Sequence, residues 1–130
     1  MRKYPFTIEN EDDLIIIDVT INGYDVKLAL DTAATHTVID YTALVLAGGH
    51  LNKVGKTKLE TASGIIEAEK FVLQNVTALG IEETDFEVTS YDFLLYGLLI
   101  RIDGVLGLDF FRDKVLTIDF KKQVLSVHEE

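Results

Sequence analysis

The chain predicts an all-β fold, a small barrel or sandwich with one or two short helices, and three features of its 130 residues lead there. Runs rich in Val, Ile and Thr recur at hairpin spacing, separated by turn dipeptides such as Asn22-Gly23. Segments that read as helix are short and confined to 41–47 and 108–113. Pro5 is the one proline, and no Ser/Gly-rich linker or internal repeat interrupts the chain. Residues 1–130 therefore read as one domain with its core over about 14–127.

Each element has a local reason. Residues 14–21 are rich in β-branched side chains, Asn22-Gly23 is a two-residue hairpin signal, and 24–30 alternates as the returning strand, which carries Asp31 at its end. Residues 37–40 predict a short strand, and 41–47 a short helix capped by Asp40 and stopped by Gly48-Gly49. Residues 53–61 and 65–79 form a second hairpin around Ala62, Ser63 and Gly64, and 84–91 a further strand. Residues 92–103 are apolar and ambiguous between helix and strand, and 108–113 predicts one or two helical turns. The chain closes with strands 115–120 and 123–127 around Lys121-Lys122.

Twelve basic against twenty-two acidic residues give a formal net charge of -10, which opposes attraction to phosphate backbones and anionic membranes. Neither nucleic acid nor a membrane is an expected partner. The absence of cysteine excludes disulfides, thiolate metal sites and a thiol nucleophile. Acidic Glu9, Glu11, Asp12 and Asp13 come after the first residues in place of an apolar leader, and no later stretch reaches spanning length without a charge. The expected protein is soluble and cytoplasmic. Asn75-Val76-Thr77 fits a glycosylation sequon, but nothing else in the chain argues for secretion.

The segment Leu28-Ala29-Leu30-Asp31-Thr32-Ala33-Ala34-Thr35 sets one carboxylate after an apolar strand, followed by a hydroxyl residue and small residues that let backbone crowd around it. Far downstream, Gly104-Val105-Leu106-Gly107 forms an apolar run broken by glycine. Together the two segments resemble the retropepsin-like, or retroviral-type, aspartic protease family. The resemblance implies a small closed β-barrel and a peptidase needing no cofactor or metal. It makes Asp31 the catalytic carboxylate and has Thr32 hydrogen-bond across a dimer axis. Ala33, Ala34 and Thr35 complete the active-site loop, Ala62, Ser63 and Gly64 fall at the flap tip, and Val105, Leu106 and Gly107 pack behind the loop.

Peptide hydrolysis of this kind uses two carboxylates that share one proton across a bound water. One copy of Asp-Thr-Ala supplies half of that pair, so the other Asp31 must come from a two-fold-related chain, and a homodimer acting on a peptide or protein substrate is expected. The family most often has glycine where this chain has Ala33. That difference motivates the rival reading, a catalytically inactive retropepsin-like module for dimerisation or peptide binding.

Other motifs have simpler readings. Val54-Gly55-Lys56-Thr57 looks like the end of a phosphate-binding loop, but His50 stands where glycine is required and the residues after Thr57 are strand-like instead of helical. His36, His50 and His128 show no ligand spacing, although His36 lies close to the Asp31 loop. Ser63 lacks the Gly-x-Ser-x-Gly frame of a nucleophile elbow. Asp40, Asp109 and Asp119 read as caps or strand-edge residues, and Phe71, Phe86, Tyr91, Phe93 and Tyr96 as core or groove aromatics.

Overall fold

A computed structural model describes residues 2–11, 13–61, 64–92 and 102–129. Ten strands run through them: β1 Lys3–Pro5, β2 Ile16–Ile21, β3 Tyr24–Leu30, β4 Val38–Asp40, β5 Lys53–Thr61, β6 Gly64–Ala78, β7 Ile81–Tyr91, β8 Gly104–Leu106, β9 Lys114–Asp119 and β10 Val124–Glu129. One helix, α1 Tyr41–Leu46, and two 3-10 turns, Gly49–Leu51 and Leu108–Phe111, complete the described elements.

The local signals produce the expected structures. Asn22 and Gly23 take φ values of 49° and 84°, as a tight β2–β3 turn requires. Asp40 caps α1 by accepting the Thr42 N–H at 3.1 Å, and Gly48 ends the helix at φ 75°. Asp119 accepts the Lys122 N–H at 2.9 Å in the turn before β10. β7 begins three residues earlier than the alternation predicts because Leu79 and Gly80, at φ 51° and 75°, make a tight turn straight into it. Val54 to Thr57 lies inside β5, and Asn75 to Thr77 inside β6, so neither the loop nor the sequon pattern sits in a loop.

Six strands close into a mixed barrel in the order β2, β3, β8, β4, β7, β6, with β6 returning to pair with β2. Closure depends on the length of β6. Its first part pairs with β5 as a long hairpin, its middle with β7, and its end with both β7 and β2. Its buried positions change parity on the way, from Phe71 and Leu73 to Val76 and Ala78, near the point where Asp85 on β7 takes φ 50°. The strand thus turns one face inward and then the other, as closing a sheet on itself demands. A separate three-stranded sheet has the order β1, β10, β9.

β8 departs from the expected pattern. It is three residues long, buried, and lies between β3, which it joins in parallel, and β4, which it joins antiparallel. Its short apolar sequence has no alternation to mark it, and neither does β1. Residues 93–101 of the ambiguous apolar stretch, with Phe93 and Tyr96, lie outside the described residues.

The core gathers Ile17, Val19, Ile21, Val26, Leu28, Leu73, Val88, Leu106 and Phe110, all buried. Phe71 belongs to it, and Phe86 meets Phe110 edge-on with centroids 5.9 Å apart, which makes both core aromatics. Lys114 has only 7% of its side chain exposed, so its charge requires a partner, and it finds one in Glu83. Its ammonium also lies 5.7 Å from the centroid of the Phe110 ring. The pair ties β9 to β7. No described helix is long and apolar enough to cross a membrane.

Phe110 has no exposed surface and packs edge-on against Phe86 and Phe111. Replacing it by alanine is expected to lower unfolding free energy by about 3–5 kcal/mol, read from urea denaturation at unchanged m-value.

Candidate active site

β3 delivers Asp31 into a tight turn held by local bonds, by β8 and by the start of the following 3-10 turn. The Asp31 N–H donates to the Leu106 carbonyl at 3.1 Å, continuing the parallel β3–β8 ladder by one bond. The Asp31 carbonyl accepts the Ala34 N–H at 3.1 Å, and its Oδ1 accepts the Ala33 N–H at 3.0 Å. This is an Asx-type turn, in which a short carboxylate mimics backbone. The carboxylate is half-buried, with Thr32 and Ala33 exposed beside it.

Ala33 is not among the residues with positive φ. Its position makes no left-handed demand that glycine alone could meet.

The two glycines of the downstream segment are needed for a different reason. A Cβ on Gly107 would lie 2.8 Å from the Ala34 and His36 carbonyl oxygens, and one on Gly104 would lie 2.0 Å from the Val38 oxygen at φ 152°. The Asp31 loop and β4 rest directly on β8 backbone, so no side chain fits there. Leu108 N–H reaches the Ala34 carbonyl at 2.8 Å and fastens the loop from the other side.

Behind the loop sits Thr37, with 1% exposed surface and every polar group used. Its N–H donates to Asp109 Oδ2 at 2.9 Å and its hydroxyl to Asp109 Oδ1 at 2.7 Å. The same hydroxyl accepts the Gly107 N–H at 3.1 Å, and the Thr37 carbonyl accepts the Thr89 N–H at 3.1 Å. Asp109 is therefore not a simple cap or strand-edge residue. It is a two-oxygen acceptor that clamps the C-terminal 3-10 turn to the active-site loop. Nothing local in the sequence marks that role, because Thr37 and Asp109 are 72 positions apart.

Asp31 borders a cavity of about 640 Å³. Ala33, Ala34, Thr35, His36 and Val38 form one side of it. The facing side comes from Thr57 to Glu60 on β5, Lys70 on β6, and Glu87 and Thr89 on β7. Lys70 and Glu87 pair across the strands at 3.1 Å. A second hollow of about 660 Å³ shares His36 and Glu87 with the first and runs on past Asp85 and Arg112. Only the first contains Asp31. His36 Nδ1 lies 2.9 Å from the Thr35 hydroxyl, so the ring's polar contact is to its own loop.

The structure thus brings together Asp31, Ala33, Ala34, Thr35, Leu106 and Gly107 from the expected segments, with Val105 paired between Ala29 and Val38. Gly64 opens β6 opposite Thr61, while Ala62 and Ser63 lie outside the described residues. Among the described residues, no group of three His, Asp or Glu side chains converges in a way that could hold a metal ion.

Residues 17–110 match the family described as aspartyl protease. Among solved structures, a retropepsin-like aspartic protease from Rickettsia conorii superposes with a TM-score of 0.72 at 19% identity, over 98% of this chain and 91% of that one. The EIAV protease, complexed with the inhibitor HBY-793, superposes with a TM-score of 0.61 at 18% identity, over 82% of this chain and 93% of that one. At such identities the likeness is one of fold, and it gives the barrel its class: a retropepsin-like fold. No curated protein matches the chain significantly by sequence.

Thr37→Val keeps shape but removes the hydroxyl, leaving Asp109 Oδ1 and the Gly107 N–H unpaired; the expected loss is about 2–4 kcal/mol in denaturant unfolding. Asp109→Asn retains an acceptor for the Thr37 N–H and a donor toward its hydroxyl, so its loss should be clearly smaller than that of Asp109→Ala. Ala33→Gly should fold normally and lose only about 0.4–1 kcal/mol, through greater freedom of the unfolded chain.

Proposed function

The chain belongs to the aspartyl protease family, and on that premise we propose that it is an endopeptidase working as a homodimer, with water activated between two Asp31 carboxylates. The observation that carries this reading is the placement of Asp31. It is a half-buried carboxylate held by its own turn and by β8, on the wall of a cavity of about 640 Å³.

The chemistry comes from sharing one proton between two like groups. Two carboxylates close together cannot both ionise without mutual repulsion, so the pair retains a proton that belongs to both. The ionised member accepts a proton from the bound water as its oxygen attacks the scissile carbonyl carbon, and the protonated member donates to the carbonyl oxygen. The tetrahedral intermediate then collapses with breakage of the C–N bond: the amide nitrogen takes up a proton from one carboxyl while a hydroxyl of the intermediate returns its proton to the other carboxylate, which restores the singly protonated pair and releases a carboxylic acid and an amine.

Thr32 is exposed, and among the described residues nothing hydrogen-bonds its side chain. It is proposed to bond across the dimer axis and hold the two loops in register. The β5–β6 hairpin, with Thr57 and Leu59 bordering the groove, acts as the flap in this reading. Substrate lies beneath it as an added strand, bound through main chain, with neighbouring side chains setting preference. No metal or cofactor enters this scheme. That Ala33 is not among the positive-φ residues supports the catalytic reading over that of an inactive module.

Asp31→Asn keeps the acceptor for Ala33 while removing the shared proton, so stability should change by less than about 0.5 kcal/mol. Cleavage of a peptide library between pH 4 and 7 should fall by about 10³-fold or more. Wild type mixed with an equal amount of Asp31→Asn, after subunit exchange, should retain about one quarter of the wild-type activity at the same total concentration, against about one half for independent subunits. Cleavage that survives the substitution would overturn the assignment.

A further inference from the structure

Taking the endopeptidase proposed above as given, the walls of the groove beside Asp31 decide which side chains a substrate can carry. Two charged residues of that wall hold each other in place. Lys70 on β6 stands opposite Gly55 of β5 on one side and Thr89 of β7 on the other. An ideal Cβ on Gly55 would lie 3.9 Å from the Lys70 Cε, so the stem runs along bare β5 backbone. Its ammonium crosses diagonally to Glu87 Oε1 at 3.1 Å.

The two members of the pair are not equivalent. Lys70 has 33% of its side chain exposed and Glu87 52%, so a molecule in the groove meets the carboxylate first. Among the described residues that carboxylate has no partner besides Lys70, and its second oxygen is unengaged. A carboxylate offers about four lone-pair positions, so Glu87 can take a second cation without releasing the first. Glu87 also stands where the two hollows meet, because it and His36 line both. With the His36 Nδ1 engaged by the Thr35 hydroxyl, its Nε2 and ring face are uncommitted.

The surroundings set the sign of what fits there. In the second hollow Glu83 is paired with Lys114 and Asp109 is engaged by Thr37, which leaves Asp85, Asp113 and Glu129 against Arg112. Lys70 is matched by Glu87, so the passage between the hollows is negative, in a chain of net charge -10. A cation gains there and an anion loses. We propose that Glu87 sets the side-chain preference of the groove by seating a lysine or arginine of the peptide substrate against its free oxygen, beside the His36 ring. Arginine ranks first, since a planar guanidinium can stack on the imidazole while donating to the carboxylate. Lys70 is a positioning residue. It fixes Glu87 at the wall and, as a like charge, moderates the attraction to the incoming cation.

Two measurements on the full chain test this, one with cleavage and one without. A random decapeptide library cut by wild type, with products sequenced by mass spectrometry, should show arginine and lysine enriched over methionine at a fixed distance from the cut bond. The expected ratio is about threefold to tenfold, the range that a half-exposed ion pair supplies. The same library captured by immobilised Asp31→Asn should be enriched in the same sense. In either assay Glu87→Gln should bring the ratio to within about twofold of unity, and Lys70→Met should raise it. Glu11→Gln makes the same charge change outside both hollows and should leave the ratio as it was. A purely structural pair would lower handling of all peptides alike without moving the ratio, and circular dichroism verifies that each variant folds. The subsite is overturned if wild type favours acidic or neutral residues, if Glu87→Gln keeps the preference, if Lys70→Met lowers it, or if Glu11→Gln removes it equally. Charge-selective capture by Asp31→Asn with no cleavage by wild type would reject the peptidase and leave the subsite standing. Cleavage without charge preference would do the reverse, and neither capture nor cleavage would overturn both.

Discussion

The buried hydroxyl of Thr37 is the point on which the site depends. It donates to Asp109 and accepts from Gly107, while its own backbone bonds Asp109 and Thr89. Three stretches distant in sequence, the Asp31 loop, β7, and the end of β8 with the 3-10 turn that follows it, are joined through one residue. Burial makes this joint strict. A polar group cut off from water loses free energy unless each donor and acceptor is matched, so the arrangement is satisfied as a whole or not formed. The loop inherits that rigidity, and with it the fixed position that the proposed acid–base chemistry would demand of Asp31.

The same constraint explains why β8, though short, sits at the centre. It runs parallel to β3 and antiparallel to β4, so the loop from β3 to β4 must cross over its end. Crossing at backbone contact leaves no space for a Cβ at Gly104 or Gly107. What resembles a sequence motif is thus a packing requirement, with two glycines admitting a neighbouring backbone and Leu106 between them filling the barrel.

Barrel closure also decides where other chains can attach. Pairing of β6 with β2 removes the edges those strands would otherwise present. Among the described strands, the open edges that remain are β5, next to the groove, and β1 and β9, in the terminal sheet. Among the described strands, addition of a further strand is confined to those places, and the β5 edge lies beside the cavity that Asp31 borders.

Much of this protein was legible in its sequence because much of it is local. The bounds of β3 and β5, the Asn22-Gly23 turn, the Asp40 cap and the position of Asp31 at a strand end each rest on a few adjacent residues. Strands without alternation, β1 and β8, gave no such signal. Nor did the Lys114–Glu83 pair or the clamp from Asp109 to Thr37, whose members are ordinary surface types until the fold buries them. Sequence by itself determined the strand inventory and the candidate carboxylate, since hydrophobic period and turn chemistry act over neighbouring positions. Tertiary structure alone decided which glycines are indispensable, which aspartate is structural and which strand edge stays open, because those outcomes arise from contacts between segments far apart along the chain.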